Sequence, residues 1–491
     1  MDDVKNQMAA GRPSKGVLAV VMLCIFMVML DGSIVNVALP SIGESLRASF
    51  AVLQWIVLSY LVATSALILA MGRLGDILGK KALYVAGIAV FTAGSAICAV
   101  PWSSAWLISG RAVQGIGGAI VLALGPALVT ELVAPSHRGK AFGMMGVAIS
   151  LGLIVGPGLG GVIVSALGWN WIFAINVPVG IFAAMRGARD IPSTGAATRE
   201  PFDLAGAVAL GVGIASLVIA ITGGDRSGMS AASVTSLWVV SACAFAAFAV
   251  IERKVEAPLV DLRIFESALF SASLAAAVVS SIALGGTLVL MPFYLQSVLA
   301  LDVRAAGLLL AVTPVALAVI APIAGRLNDR FGARRLVTSG LLLMAAGFYA
   351  VSTLTQFTTK AEYLLKYLVV VIGIGVFQTP NSATIMSAVR STRTGIGAGL
   401  LSVSRLLGQA IGVAAISGVW AWRVASHAGM PPRDGPLRAP VDALVGGFHD
   451  VFLVLLAVMA LAAAIAALGF RSGERVDVDE RATAQRARGG S

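Results

Sequence analysis

The sequence predicts an all-α integral membrane protein of fourteen spanning helices, arranged as six, two and six, with both termini in the cytoplasm. Three observations carry that expectation. Of the 491 residues 58% are hydrophobic and only 12% charged, with 55 glycines and a mean hydropathy of +0.92, the balance of a polytopic membrane protein. Fourteen apolar runs follow one another, at 17–39, 53–72, 82–101, 104–130, 141–166, 170–186, 205–223, 233–251, 269–299, 305–325, 335–354, 364–389, 396–422 and 450–470. A polar motif also occurs twice: GRLGDILGKK (72–81) follows the second run and GRLNDRFGARR (325–335) follows the tenth. The two copies align Gly72 with Gly325, Arg73 with Arg326, Leu74 with Leu327, Asp76 with Asp329 and Gly79 with Gly332. A six-span unit would put the second copy after the eighth run, so two extra spans are inserted between the halves. The division that follows is 1–200 for the first bundle, 201–255 for the inserted pair, 256–475 for the second bundle and 476–491 for a cytoplasmic tail.

The formal net charge of +11 would suggest nucleic acid in a soluble protein, but its placement is topological. With the N-terminus inside, 25 of the 35 Lys and Arg fall on cytoplasmic segments and 8 on outer ones, while Arg111 and Arg405 lie inside spans. That bias sets an N-in, C-in orientation by the positive-inside rule and leaves no nucleic-acid partner. No GxxxxGK[ST] loop is present for an ATP-driven pump. Cys24, Cys98 and Cys243 all fall in spans without CxxC spacing and read as small apolar fillers, so no disulfide, metal or cofactor is expected. The three histidines, His137, His427 and His449, fall in loops or at a span edge, which argues against a His proton relay.

Taken along the chain, the first span reads as a retained anchor after a polar leader, and residues Gly16 to Leu39 carry one charge, Asp31. A carboxylate at that depth costs about 2.5 to 3.5 kcal/mol on insertion scales, so it faces a cavity, marks an ion path, snorkels or accepts a structural hydrogen bond. Span 4 holds Arg111 beside Gln114, Gly115, Gly117 and Gly118; its guanidinium needs acceptors, and Asp31 is a candidate partner. A fixed strut on backbone carbonyls is the competing reading. In span 5, GLIVGPGLGG (152–161) puts Gly152, Gly156 and Gly160 on one face for close helix contact, with Pro157 and Gly161 beside them. Asp76 and Asp329, with basic neighbours at cytoplasmic helix ends, read as caps or as a latch between bundles that includes Gly72, Arg73, Gly79 and Arg326. Glu131, at the cytoplasmic end of span 4, is expected to be solvated. Asn36, Gln54, Tyr60, Gln114, Tyr294, Gln296, Gln378, Asn381, Arg405 and Gln409 are the candidates for a central substrate cavity, each of them equally able to make a helix–helix hydrogen bond.

Parallel six-span halves with a central site are a transporter plan, and the chain resembles the fourteen-span drug:proton antiporters of the major facilitator superfamily, the EmrB/QacA type, over nearly its whole length. The resemblance rests on LDGSIVNVALP in span 1, GRLGDILGKK after span 2, LISGRAVQGIGGA (107–119) and GLIVGPGLGG. It continues through WNWIFAINVPVG (169–180), PFYLQSVL (292–299) and SRLLGQAIGVA (404–414). One departure is Asn170, where the family usually has Arg and an outer-loop ion pair. The resemblance implies that Arg111 couples protonation to conformational change and that the span 5 pattern marks an exporter. It also implies a bacterial inner-membrane location, small-molecule drug substrates, protons and lipid as partners, and in some members a periplasmic adaptor protein. With Asp31 as the titratable group, the expected activity is proton-coupled efflux of hydrophobic or amphipathic compounds without covalent catalysis. A narrow exporter of one metabolite or antibiotic, and a non-transporting sensor on the same scaffold, are the alternatives. A cavity with one fixed acid is expected to handle dications poorly.

Overall fold

The structure is a computed structural model that describes residues 15–193, 201–223, 229–387, 394–429 and 436–488. Its fourteen membrane-length helices are α1 (Lys15–Leu46), α2 (Phe50–Leu78), α3 (Lys80–Ala99), α4 (Ser104–Leu132), α5 (Pro135–Leu167), α6 (Trp171–Asp190, interrupted at Ile175) and α7 (Leu204–Thr222). They continue as α8 (Ala231–Lys254), α9 (Ala268–Val298, ending in a π-helical turn), α10 (Val303–Phe331), α11 (Ala333–Ser352), α12 (Lys360–Ser387), α13 (Thr394–Ala428) and α14 (Val441–Arg488). Helix is the only regular structure that satisfies every backbone group of a lone chain segment in hydrocarbon, which is why each apolar run takes this form. Starts are set locally: Ser49, Ser103, Ser230, Ser267 and Asp302 each accept a backbone N–H in the first turn of the helix that follows.

Helices α1–α6 pack on one another and α9–α14 do likewise, while α7 and α8 form a hairpin lying against α2 and α13. The repeat motif has a backbone counterpart. Gly79 (φ 92°) joins α2 to α3 and Gly332 (φ 82°) joins α10 to α11, both in a region that side-chain-bearing residues avoid.

Two boundary expectations are corrected. The loop expected at 423–449 is shorter, because α13 runs to Ala428 and α14 begins at Val441. His427 and His449 are therefore helical, and an ion cluster ties α13 to α14: Arg423 Nε lies 2.7 Å and His427 Nε2 2.7 Å from Asp450 Oδ2. Most of the tail expected at 476–491 continues α14, to Arg488, since residues 481–488 are mostly Ala, Arg and Gln, good helix formers with no proline. The leader 1–14 and the tail end 489–491 lie outside the described residues.

The halves meet along α2 and α13, where Val403 packs with Ile68 and Ala119, and across further helices at the membrane side opposite the termini. Phe50 of α2 packs its ring 5.3 Å from Phe293 and 5.0 Å from Trp420, both of the second half. Gln54 Nε2 donates to the carbonyl of Val413 (3.2 Å), and Gln296 Nε2 donates to that of Val37 (3.1 Å). On the other flank Gly161 of α5 sits against the backbone of Val303 and Arg304, and Gly307 of α10 against the Pro157 carbonyl. Toward the termini α5 instead exposes Phe142, Met144, Val147 and Leu151, and α10 exposes Val315, Val319 and Ile323. Of the 29 residues of α10, only Ala306, Gly307 and Ala324 are buried.

Candidate functional site: a sealed carboxylate in the first half

Asp31 lies at the midpoint of α1 and is 0% exposed. Its Oδ2 is paired with Arg111 Nη1 of α4. Its Oδ1 accepts from Gln114 Nε2 (3.0 Å) and from Asn176 Nδ2 (2.9 Å). Arg111, 2% exposed, also donates to Gln114 Oε1 (2.8 Å) through Nη1 and to the Ile56 carbonyl (3.2 Å) through Nε. Gln114 Nε2 reaches Ser95 Oγ of α3 (2.7 Å), and the Cys98 thiol lies 3.5 Å from Gln114 Oε1. The guanidinium stacks over the Tyr60 ring, 4.4 Å from its centre, with the Phe173 ring at 5.9 Å on another side. Side chains or carbonyls of α1, α2, α3, α4 and α6 thus converge on one ion pair.

Every group around Asp31 is a donor, and both oxygens are used. A carboxylate offers lone pairs to such donors, and the bond from Arg111 is charge-assisted. The ion pair is also self-contained. Breaking one partner of a buried pair costs about 3–5 kcal/mol because the other charge is left uncompensated.

The glycine face of α5 packs directly on α1. Gly152 lies against the Phe26 carbonyl and Met29, Gly156 against Ser33, and Gly160 against Ile34, all of α1. Ser33 Oγ donates to the Leu30 carbonyl (3.0 Å) and lies 3.1 Å from that of Gly152. The four-residue spacing therefore does what its geometry requires, bringing two backbones together beside Asp31.

The cavity candidates divide. Gln114 and Tyr60 belong to the Asp31 network rather than to an open cavity. Gln54 and Gln296 are bonds between the halves. Tyr294 is fully buried in the second half, its hydroxyl donating to the Thr355 carbonyl (2.8 Å) and its ring stacked 6.2 Å from Tyr363, so it lines no cavity. The reason is the proline-and-π-turn end of α9, which rotates Tyr294 inward toward α12 and α14. Asn36 Nδ2 donates within α1 to the Gly32 carbonyl (3.1 Å), and Asn381 Nδ2 donates to that of Ser273 (3.0 Å); the side-chain oxygen of each is buried without a partner. Gln378, Arg405 and Gln409 are half-buried, and Arg405 Nη2 donates to Ser382 Oγ (2.8 Å).

The latch residues also differ from expectation. Asp76 does not reach the second half: Lys80 takes it (2.9 Å) together with Glu131 (2.8 Å), all within the first half, because Lys80 sits four residues from Asp76 around the Gly79 turn. Glu131 is exposed, as expected, and Arg326 and Asp329 are exposed at the matching end of α10. Gly72 has open space around it, and Arg73 lies half-buried in the last turns of α2.

Three buried polar residues escaped the sequence reading. Asn176, 1% exposed, sits at the break in α6 inside WNWIFAINVPVG, where an asparagine after an interrupted apolar turn was the available signal. Asp203 (5% exposed) and Glu252 (4%) are buried acids at the start of α7 and the end of α8, so Asp31 is not alone. Asp203 caps Gly206 (2.8 Å) and Glu252 accepts from the Val260 N–H (3.1 Å), roles that position at a helix end does suggest.

Comparison with known proteins agrees with this architecture. The family model described as Major Facilitator Superfamily matches residues 21–413 and 273–489. The putative multidrug resistance protein MdtD of Pectobacterium atrosepticum is 30% identical over 456 residues, covering 92% of this chain and 94% of its own. The riboflavin transporter RibZ of Clostridioides difficile is 31% identical over 411 residues, covering 82% and 88%. Among solved structures, a bacterial homolog of the human lysosomal transporter Spinster, in an inward-facing and unoccupied conformation, superposes with a TM-score of 0.68 at 15% identity, covering 94% of this chain and 97% of that one.

Proposed function

The chain belongs to the Major Facilitator Superfamily, a multi-pass transporter of the bacterial inner membrane, and from that premise we propose that it exports hydrophobic or amphipathic small molecules in exchange for protons. The observation that carries the coupling is the sealed Asp31 carboxylate, with side-chain donors from Arg111, Gln114 and Asn176 aimed at it. Protonation removes the charge and turns one acceptor oxygen into a donor, so the ion pair with Arg111 is lost and the bonds from Gln114 and Asn176 weaken, loosening α4 and α6 from α1. With the termini cytoplasmic, the seam at Phe50, Gln54, Gln296 and Gly161 closes the outer side and leaves the space between α5 and α10 accessible from inside. Opening that seam admits a proton from outside to Asp31 as substrate leaves. Reclosure of the ion pair returns the proton inward and resets the site. Residues 1–200 carry the proton chemistry in this reading, 201–255 are an appended hairpin, and 256–475 form the partner bundle.

The multidrug name of one relative supports breadth, and the riboflavin transporter favours the second reading, a narrow exporter. The test is a dye-efflux and growth panel in a pump-deficient host, paired with proteoliposomes under an imposed pH gradient. Efflux of several unrelated compounds that stops when the gradient is collapsed supports the proposal. Protection against a single compound supports narrow export. No transport of any compound, with the protein correctly inserted, sinks both and leaves a sensor.

A further inference from the structure

The described cations embedded in the second half's helices differ in what faces them. Lys366 is paired with Glu362 (2.6 Å) and Arg423 with Asp450 (2.7 Å), whereas Arg405 bonds only a hydroxyl, Ser382 Oγ at 2.8 Å. Arg405 lies eleven residues into α13, about 16 Å along the helix at 1.5 Å per residue. A guanidinium at such depth is expensive unless it has a counter-charge, water or a ligand. The first half supplies no counter-charge, because Asp31 is fully buried and committed to Arg111.

The packing of α13 shows where Arg405 points. Gly408 and Gly412 lie against the backbone of α9 at Val278 and Ile282, and Val403 joins Ile68 and Ala119 of the first half in one apolar cluster. The Ser382 contact carries the guanidinium toward α12. There Gln378 and Ser382 stand one helical turn apart, as Arg405 and Gln409 do on α13, and all four are half-buried. Ser382 spends its only proton on the Gln378 carbonyl (2.6 Å), so toward Arg405 it acts purely as an acceptor. Among the described residues four of the five guanidinium N–H donors then have no acceptor, and Gln378 and Gln409 lie one turn away along their helices.

We infer that Arg405 is the binding site for the anionic group of the exported molecule, a carboxylate or a planar oxyanion of similar shape on an amphipathic body. A guanidinium fork matches a carboxylate in two parallel hydrogen bonds, which a lone ammonium does not reproduce. The cavity therefore favours organic monoanions and weak acids over cations, the reverse of a cavity with an exposed acid. This rests on the export reading above, and the shared chemistry of a lipid phosphate is the competing source of the same anion.

The test uses the full chain and three matched probes: pyrenebutyrate, its methyl ester and a pyrenyl trimethylammonium of equal length. In lipid-free detergent the wild type is expected to bind the carboxylate about tenfold or more tightly than the ester, the size of one charge-assisted contact. Arg405→Gln should remove that preference, and Arg405→Lys should keep part of it. Equal binding of carboxylate and ester by the wild type, which needs no variant to fold, overturns the inference, as does an unchanged ratio in Arg405→Gln. A preference that vanishes when phosphatidylglycerol is added in stoichiometric amount assigns Arg405 to lipid and also overturns it. In energised proteoliposomes, carboxylate preference in binding with no transport of any probe refutes export but leaves the anion site standing. Export of the three probes at equal rates refutes the anion site alone.

Discussion

Replacing Asp31 by Asn keeps the side chain's shape and removes its charge, and the structure says where the cost falls. Arg111 would remain 2% exposed with Gln114 Oε1 and the Ile56 carbonyl as acceptors, but with no counter-charge. Breaking a buried pair in this way costs about 3–5 kcal/mol, and the new amide N–H₂ would also face a donor on one side. In the proposed cycle the penalty falls on the outer-closed arrangement, where the pair is made, so the balance of conformations should shift by about two to three and a half decades, at 1.4 kcal/mol per tenfold. Two assays separate the consequences. Gradient-driven efflux in proteoliposomes should be lost, whereas gradient-free exchange of labelled substrate across the membrane should persist, since that step needs no proton. Adding Arg111→Gln to Asp31→Asn removes the stranded charge and should recover thermal stability without recovering gradient-driven efflux. Energised efflux by Asp31→Asn within about twofold of wild type, at equal expression, would refute the coupling role.

Arg111→Lys should also slow turnover by more than about tenfold, because a compact ammonium cannot hold Asp31, Gln114 and the Ile56 carbonyl together; an unchanged rate in proteoliposomes would favour a passive strut. Gly156→Val should clash with Ser33 and force α5 from α1, costing about 1–3 kcal/mol, read as a lower melting temperature in detergent; an unshifted melting temperature contradicts the close contact. Phe50→Ala empties the aromatic contact between the halves, about 3–5 kcal/mol when such a ring is fully lost, and should open the outer seam. A reporter cysteine at Gln296, in a background with Cys243 replaced, should then react faster with a membrane-impermeant maleimide, and unchanged labelling would count against that seam as the outer gate.

The fourteen helices were legible because each is a long apolar run, and the six-two-six order because GRLGDILGKK recurs at a countable place. Asp31 and Arg111 stood out for the same reason: a charge in such a run is visible without any coordinates. What the sequence withheld was direction around each helix axis. Helices that are apolar on nearly every side carry little periodicity to say which face looks inward, so Tyr60, Gln114, Tyr294 and Gln378 looked alike as polar groups in hydrocarbon. The structure sends the first two to the ion pair, the third into the second half's aromatic core and leaves only the last half-open. Asp203 and Glu252 were overlooked because helix ends normally meet water, and here the inserted hairpin buries them. Likewise Asp76 had two basic routes open, and only coordinates show that Lys80 fills the nearer one.

All the side chains that hold Asp31 come from the first half, and the half-open polar strip around Arg405 comes from the second. Inheritance can act on these separately. On the proposed division of labour, a substitution that reshapes α12 or α13 would change what is carried while leaving the energy source intact, so a lineage could acquire a new cargo in single mutational steps without passing through an uncoupled ancestor. The same partition makes hybrid genes a direct experiment: a chimera joining this first half to the second half of the riboflavin transporter should inherit its proton dependence from one parent and its cargo from the other.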